Sequence, residues 1–432
     1  MAQVKELIER LNAGAYDDAF RKLYEDSDAQ VQAQRARYAQ AAAEFGRLFG
    51  EEREVRLYSA PGRTEIGGNH TDHNHGVVMA AAVNLDIIAV VAQNDEKIVR
   101  VKSQGFDKTD VVDLANLSPN EQENGRSAAL IRGIAAGICQ AGGTVGGFDA
   151  YTTSNVLRGS GLSSSAAFEV VIGEIFNGEF NDGRFSAVKN AQIGQFAENQ
   201  FFGKPCGLMD QTACAVGSAI TIDFKDPSDP IVNKVALDIA RHGYHLCITD
   251  TKGSHADLTD DYAAIRSEME SVAECFGKKV LREVNRAQLL AELPRVRRQT
   301  GDRAVLRALH FYAECDRAEQ LYQAVAEDRF EDFLHMIVDG GHSSFEYNQN
   351  AYSIKAPSQQ GVSIGLALSQ MILSGRGAWR LQGGGFAGTI QAFVPEDLLK
   401  QYCTTMDQVF GEGACHVLNV RNYGAIPVTE SL

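Results

Sequence analysis

The sequence predicts a two-domain protein of mixed α/β or α+β class. Three observations carry that reading. The chain has 432 residues, more than one hydrophobic core usually serves. Short apolar runs between glycines alternate with apolar residues spaced by three and four, in both halves. Near residue 240 the loop "KDPSDP" gives way to a new strand pattern, "GYHLCITDT", and marks a boundary. The expected units are a helical lead over 1–46, a first domain over 47–240 and a second over 241–432.

Each element follows from its local pattern. Residues 1–46 are rich in Ala, Gln, Arg and Glu and read as helix. From "VRLYSAPGR" onward the texture becomes that of strands and loops. The longest apolar run, "GVVMAAAVNLDIIAVVAQ", is broken by Asn84 and Asp86. It is too short for a membrane helix and reads as buried strands. "SAALIRGIAAGICQAGG" is a helix that stops at Gly142–Gly143. "GFDAYTTSN" reads as a strand and "SAAFEVVIGEIFNG" as a buried helix. Leu258, Tyr262, Ile265, Met269, Val272 and Phe276 share one helical face. "GAWRLQGGGFAGTIQAFVP" returns to glycine and strand.

Composition narrows the function. The formal net charge of −15 argues against a nucleic-acid or anionic-membrane binder, which needs a basic face. A small anion can still find a locally positive site. The opening residues have no apolar leader segment, so a cytoplasmic protein is expected. The eight cysteines show no CxxC spacing. They read as reduced, buried small residues, and the spacing argues against a metal–thiolate site.

Four segments carry chemistry. The first, "LRGSGLSSSAAFEV", puts a glycine–serine loop between a strand and a helix. Backbone N–H groups and a helix N-terminus there suit a phosphate, and glycines let the backbone approach it. The plainer alternative is a serine-rich helix cap. Neither a Walker loop nor a dinucleotide-binding GxGxxG is present. The second, "SAPGRTEIGGNHTDHNHG", is a polar loop between strands and suggests binding. His70, Asp72, His73 and His75 do not share a helix face, which disfavours zinc. The third, "KPCGLMDQTACAVG", sets Asp210 among apolar neighbours as a buried pair, a cap or a general base. The fourth, "LQGGGFAGT", is a tight turn or a close backbone approach to a ligand.

Together these segments resemble the galactokinase branch of the GHMP kinases. "APGR…GNHTDHN" is similar to the signature APGRVNLIGEHTDYN, and "GSGLSSSAAFEV" to GAGLSSSASLEV. "ENQFFGKPCGLMDQ" is similar to the segment ending CGIMDQ, and "QGGGFAG" to TGGGFGG. The resemblance spans roughly residues 45 to 420. It implies a GHMP kinase fold, with an α+β N-terminal domain like ribosomal protein S5 domain 2 and a ferredoxin-like C-terminal domain with extra helices. It implies ATP and Mg²⁺ as cofactors, a galacto-configured sugar as partner, and transfer of phosphate to the C1 hydroxyl. Oligomeric state stays open.

The roles the resemblance implies are these. Gly159, Ser160, Gly161, Leu162, Ser163, Ser164 and Ser165 would wrap the ATP phosphates, with Ser103 near the adenine. Ser165 and Glu198 would hold Mg²⁺. Asp210 would be the catalytic base and Arg63 would stabilise the transferring phosphoryl group. Asn69, His70, Thr71, Asp72, Gly207 and Tyr262 would face the sugar. The departures gather in the sugar loop: Glu65 stands for the family's Asn, Asn69 for its Glu and His73 for its Tyr. In the family that Glu holds a distal hydroxyl of the sugar and the Asp, here Asp72, holds inner ones. Galacturonate is therefore a competing substrate, with His73, His75 or Lys252 as partner for its carboxylate. Gln382 and Ala387 replace a Thr and a Gly of the last motif. A non-catalytic sugar or ATP sensor and another small-molecule kinase of the superfamily are the further alternatives.

Overall fold

The computed structural model describes residues 2–157, 161–204, 206–253 and 258–432. Strands β1 (Ala2–Gln3), β2 (Glu54–Gly67), β3 (Val77–Asn94), β4 (Ile98–Ser103), β5 (Asp110–Asp113), β6 (Gly147–Ser154), β7 (Ala219–Asp223) and β8 (Ile231–Val235) belong to one sheet. Strands β9 (Tyr244–Asp250), β10 (Ala378–Leu381), β11 (Thr389–Pro395) and β12 (Cys415–Leu418) form a second sheet, antiparallel and ordered β10-β11-β9-β12. Strand β13 (Ile426–Val428) then returns to the first sheet and pairs with β2. The apolar run broken by Asn84 and Asp86 is one 18-residue strand, β3. Its C-terminal half pairs with β6 and its N-terminal half with β7. No helix among the described residues is long and apolar enough to cross a membrane.

Asp86 explains how a charge fits inside that strand. It is fully buried, and an isolated carboxylate there would cost several kcal/mol. Arg37 reaches it at 2.6 Å, Arg421 at 3.0 Å and the Tyr24 hydroxyl at 2.7 Å. Burial alone would raise its pKa, but the two guanidiniums hold it below the usual carboxylate value. Arg37 lies on the helix Asp28–Phe49, which Ser27 caps by accepting from the Gln30 N–H at 3.2 Å. The helical lead, β3 and the chain's last turn are thus joined at one carboxylate.

Two helices position the site. The helix Ser164–Phe180 is apolar on most of its surface and lies buried against β2 and β3. The long helix Asp302–Ala326 comes from the second half of the chain yet packs on the first sheet. It passes so near β2 that a Cβ on Gly67 would lie 2.6 Å from Leu321 Cδ1. The register of β2 against β3 shifts between Pro61 and Arg63 and again between Glu65 and Gly67. Such irregularities re-aim side chains, and Arg63 and Glu65 lie in this stretch.

Candidate active site

The centre of the site is Arg63, buried on β2, and Asp210, the second residue of the helix Met209–Val216. Arg63 Nε donates to Asp210 Oδ1 at 2.8 Å, and its Nη2 lies 2.7 Å from the same oxygen. A second Nη donates to the Gly161 carbonyl. The Ser163 hydroxyl donates to Asp210 Oδ2. Asp210 does not cap its helix, because its carboxylate is turned to these partners. Burial would lower the Arg63 pKa, but the Asp210 carboxylate and its hydrogen bond raise it overall. The Asp210 side chain keeps about a third of its exposure, at 35%, so a substrate hydroxyl can reach it.

Gly161, Leu162 and Ser163 of the serine loop lie against this pair. Gly159 and Ser160 lie outside the described residues. Leu162 is buried and its carbonyl accepts the Arg63 N–H at 3.1 Å. A Cβ on Gly62 would lie 2.7 Å from that carbonyl, so β2 needs glycine there. Gly161 (φ 69°) and Ser163 (φ 58°) take left-handed backbone conformations. Ser163 is the N-cap of the helix Ser164–Phe180, but its hydroxyl makes no capping bond and goes to Asp210. The first-turn N–H groups at Ser164 and Ser165 have no intrahelical acceptor and are available to an anion. Ser165 is exposed.

One turn further along, Glu169 faces Glu198 across Gln211. The Gln211 amide donates to Glu169 Oε2 at 2.9 Å and to Glu198 Oε2 at 3.0 Å. Both carboxylates are buried, and Glu169 Oε1 has no hydrogen-bond partner. Burial and the neighbouring Glu198 push Glu169 well above the ordinary carboxyl pKa. Two buried carboxylates with an orphaned oxygen, beside a hydroxyl-rich helix start, fit a hard cation such as Mg²⁺. Glu169 is absent from the sequence-based assignment. Its signal was an acid within the apolar run that follows the serines, four residues after Ser165.

The sugar loop divides into inner and outer residues. Asn69 is fully buried. Its amide donates to Glu65 at 3.0 Å and to the Gly383 carbonyl at 2.8 Å, and its Oδ1 accepts from Asn350 at 2.9 Å. Its backbone carbonyl takes His310 Nε2 at 2.9 Å. Thr71 is also fully buried and donates inward, to the Gly68 and Val77 carbonyls at 2.9 and 2.8 Å. His70 and Asp72 are half-buried. Asp72 lies against Gly207, where a Cβ would overlap its Oδ2. Burial lowers the His70 pKa to about 4, and its Nε2 is 2.9 Å from the Gly384 carbonyl.

The glycine turn of the second sheet meets the sugar loop, its Gly383 and Gly384 carbonyls bonding Asn69 and His70. Tyr262 donates to the Gly385 carbonyl at 3.0 Å, and its ring edge leaves no room for a Cβ on Gly384. Gln382 bridges the two sheets: its Oε1 accepts from Thr64 at 2.7 Å and its Nε2 donates to the Gly161 carbonyl at 3.1 Å. Ser103 lies at the end of β4, where its hydroxyl accepts from Thr152 at 2.9 Å on β6, the strand that feeds the serine loop. Sequence reasoning missed Glu65 as a structural acid. It is buried, pairs with the buried Arg380 at 2.8 Å, and burial raises its pKa to about 7 despite that partner. Its sequence signal was Arg380 inside an apolar strand.

Comparison with known proteins gives a consistent answer. The description "Galactokinase galactose-binding signature" matches residues 43–93. "GHMP kinases N terminal domain" matches residues 129–218. Galactokinase from Streptomyces coelicolor is 32% identical, over 81% of this chain and 87% of that protein. One from Actinobacillus pleuropneumoniae is 33% identical, over 78% and 85%. The structure of Lactococcus lactis galactokinase complexed with galactose superposes with a TM-score of 0.76 at 22% identity, covering 90% of this chain and 99% of that one. The Methanococcus jannaschii mevalonate kinase gives 0.60 at 12% identity, over 85% and 98%. At these identities the two structures speak for the fold alone.

Proposed function

Because this chain belongs to the galactokinase family of the GHMP kinases, and is a sugar kinase of that fold, we propose that it transfers the γ-phosphoryl group of ATP to the C1 hydroxyl of D-galactose. The observation that carries the reading is the Arg63–Asp210–Ser163 cluster, which ties the serine loop to the candidate base. Phosphoryl transfer asks mainly for positioning and charge. Asp210 takes the proton of the C1 hydroxyl as the new oxygen–phosphorus bond forms and the bond to the departing ADP oxygen breaks. Arg63 orients Asp210 and adds positive charge where the transferring oxygens gather it. Ser163 fixes the second carboxylate oxygen. Asp72 and Gly207 shape the sugar end, with His70 and Tyr262 beside it and Asn69 and Thr71 holding the loop from within.

The serine loop, residues 159–165, would wrap the ATP phosphates, with Ser103 toward the adenine. Ser165 and Glu198 would hold Mg²⁺, with Glu169 beside them. Bound there, the ion would neutralise phosphate charge.

Galacturonate is the weaker reading. Lys252, the only ammonium among its candidate partners, is paired with Asp250 at 2.9 Å. A buried uronate without a cation is costly. The intact serine loop with Arg63 and Asp210 weighs against a sensor. The test is direct: the full chain is incubated with Mg-ATP and either D-galactose or D-galacturonate, and sugar 1-phosphate is quantified by phosphorus NMR. Galactose 1-phosphate is the expected dominant product. Predominant galacturonate 1-phosphate would reassign the substrate. Neither product, with ATP still bound, would overturn the reading.

A further inference from the structure

The cysteines are scattered in sequence, yet the second sheet gathers three of them. Strand β12 pairs with β9 so that Cys415 stands opposite Thr249. Cys247 lies two residues before Thr249 and therefore on the same face of the sheet. The helix Glu396–Phe410 lies against this sheet and brings Cys403. Asp407, one turn further on, anchors the helix by accepting the Cys415 N–H at 2.9 Å.

The three sulfurs all lie within 4.8 Å of one another, and Cys403 and Cys415 are 3.5 Å apart. Sulfurs bound at about 2.3 Å to one tetrahedral ion stand about 3.8 Å apart, so the spacing suits a shared cation. Among the described residues no other three Cys, His, Asp or Glu ligand atoms come together so closely. The Thr249 hydroxyl on the same face is fully buried, beside Cys415 and Tyr402. Cys247 is buried, while Cys403 and Cys415 are half-buried and leave a way in. An all-sulfur donor set selects soft, closed-shell cations.

We propose that Cys247, Cys403 and Cys415 form a binding site for one thiophilic cation, Zn²⁺ or Cu⁺, that fastens the helix Glu396–Phe410 to the second sheet. The sequence argued against such a site, because residues 247, 403 and 415 have no ligand-like spacing; the pairing of β9 with β12 supplies the proximity instead.

The test uses the reduced, chelator-stripped full chain, titrated with Cd²⁺ or Co²⁺ as spectroscopic stand-ins for Zn²⁺, and with Cu⁺ against a coloured competing chelator. One equivalent should bind with a thiolate charge-transfer band. Cys403→Ser should weaken the band and bind at least about 100-fold more weakly, beyond the loss usual for an outer-shell partner, with an unchanged metal-free melting temperature. Cys139→Ser, at the exposed cysteine, should bind as the parent does. If Cys403→Ser does not fold, Cys415→Ser gives the same reading. Binding at one equivalent by Zn²⁺ stand-ins or by Cu⁺ alone decides which ion the site takes. No stoichiometric binding of either, or undiminished binding in both variants, would overturn the proposal. So would a Cys403–Cys415 disulfide formed by peroxide in a chain that binds neither ion.

Discussion

Asp210 is held by a guanidinium on one oxygen and a hydroxyl on the other, so its geometry survives a change that removes only its basicity. Asp210→Asn is expected to fold normally and bind ATP, with kcat lowered by roughly 10² to 10⁴, the span usual for loss of a general base. Product formation and a nucleotide-binding titration check both parts. Gly207 is a steric counterpart to Asp72. Gly207→Ala should push the Asp72 carboxylate aside and raise KM for the sugar by about tenfold, equal to about 1.4 kcal/mol, with a smaller effect on kcat. Initial rates across sugar concentrations decide it. At this scale the sequence showed the residues that carry chemistry, since glycines, serines and lone acids cluster visibly. It did not show the inner partners of the sugar loop. Asn350, Gly383 and Arg380 lie about 280 to 315 positions from Asn69 and Glu65, and no local pattern links them.

Among the elements, the turn into the helix Ser164–Phe180 is the most demanding. Ser163 occupies φ 58°, where a non-glycine residue costs about 1 kcal/mol. Ser163→Gly should therefore keep or raise the melting temperature while removing the hydroxyl from Asp210, lowering kcat about tenfold. A fall in stability together with activity would contradict that division. The helices and strands themselves were largely legible. Their apolar spacing predicts the helices Ser127–Gln140 and Thr259–Glu274 and the strand Gly147–Ser154. The run over residues 77–94 was read as strands in the plural; it is a single strand because Asp86 finds two arginines, Arg37 and Arg421. Those arginines come from residues 37 and 421, which sequence spacing cannot bring together.

For the whole molecule, the site depends on a helix from one half bearing on a sheet from the other, and His310 is the seam. Its ring is fully buried between Ser343 and the Asn69 carbonyl, and burial lowers its pKa from 6.5 to about 3. The unfolded chain takes a proton near pH 6.5 that the folded chain refuses. Stability from this group is complete above that pH and falls as pH drops toward 3, by up to about 1.4 kcal/mol per pH unit. Urea midpoints between pH 6.5 and 4 should show a shallower acid slope in His310→Gln than in the parent. The return of β13 to the first sheet has its own consequence. It lies along residues 57–59 of β2, on the edge opposite β3, and so hides the backbone donors and acceptors that would otherwise recruit another chain. The last strand thus acts as a guard against aggregation. Ending the chain after residue 424 should yield a protein that self-associates in light scattering as its concentration rises, even where the Arg63–Asp210 pair is intact.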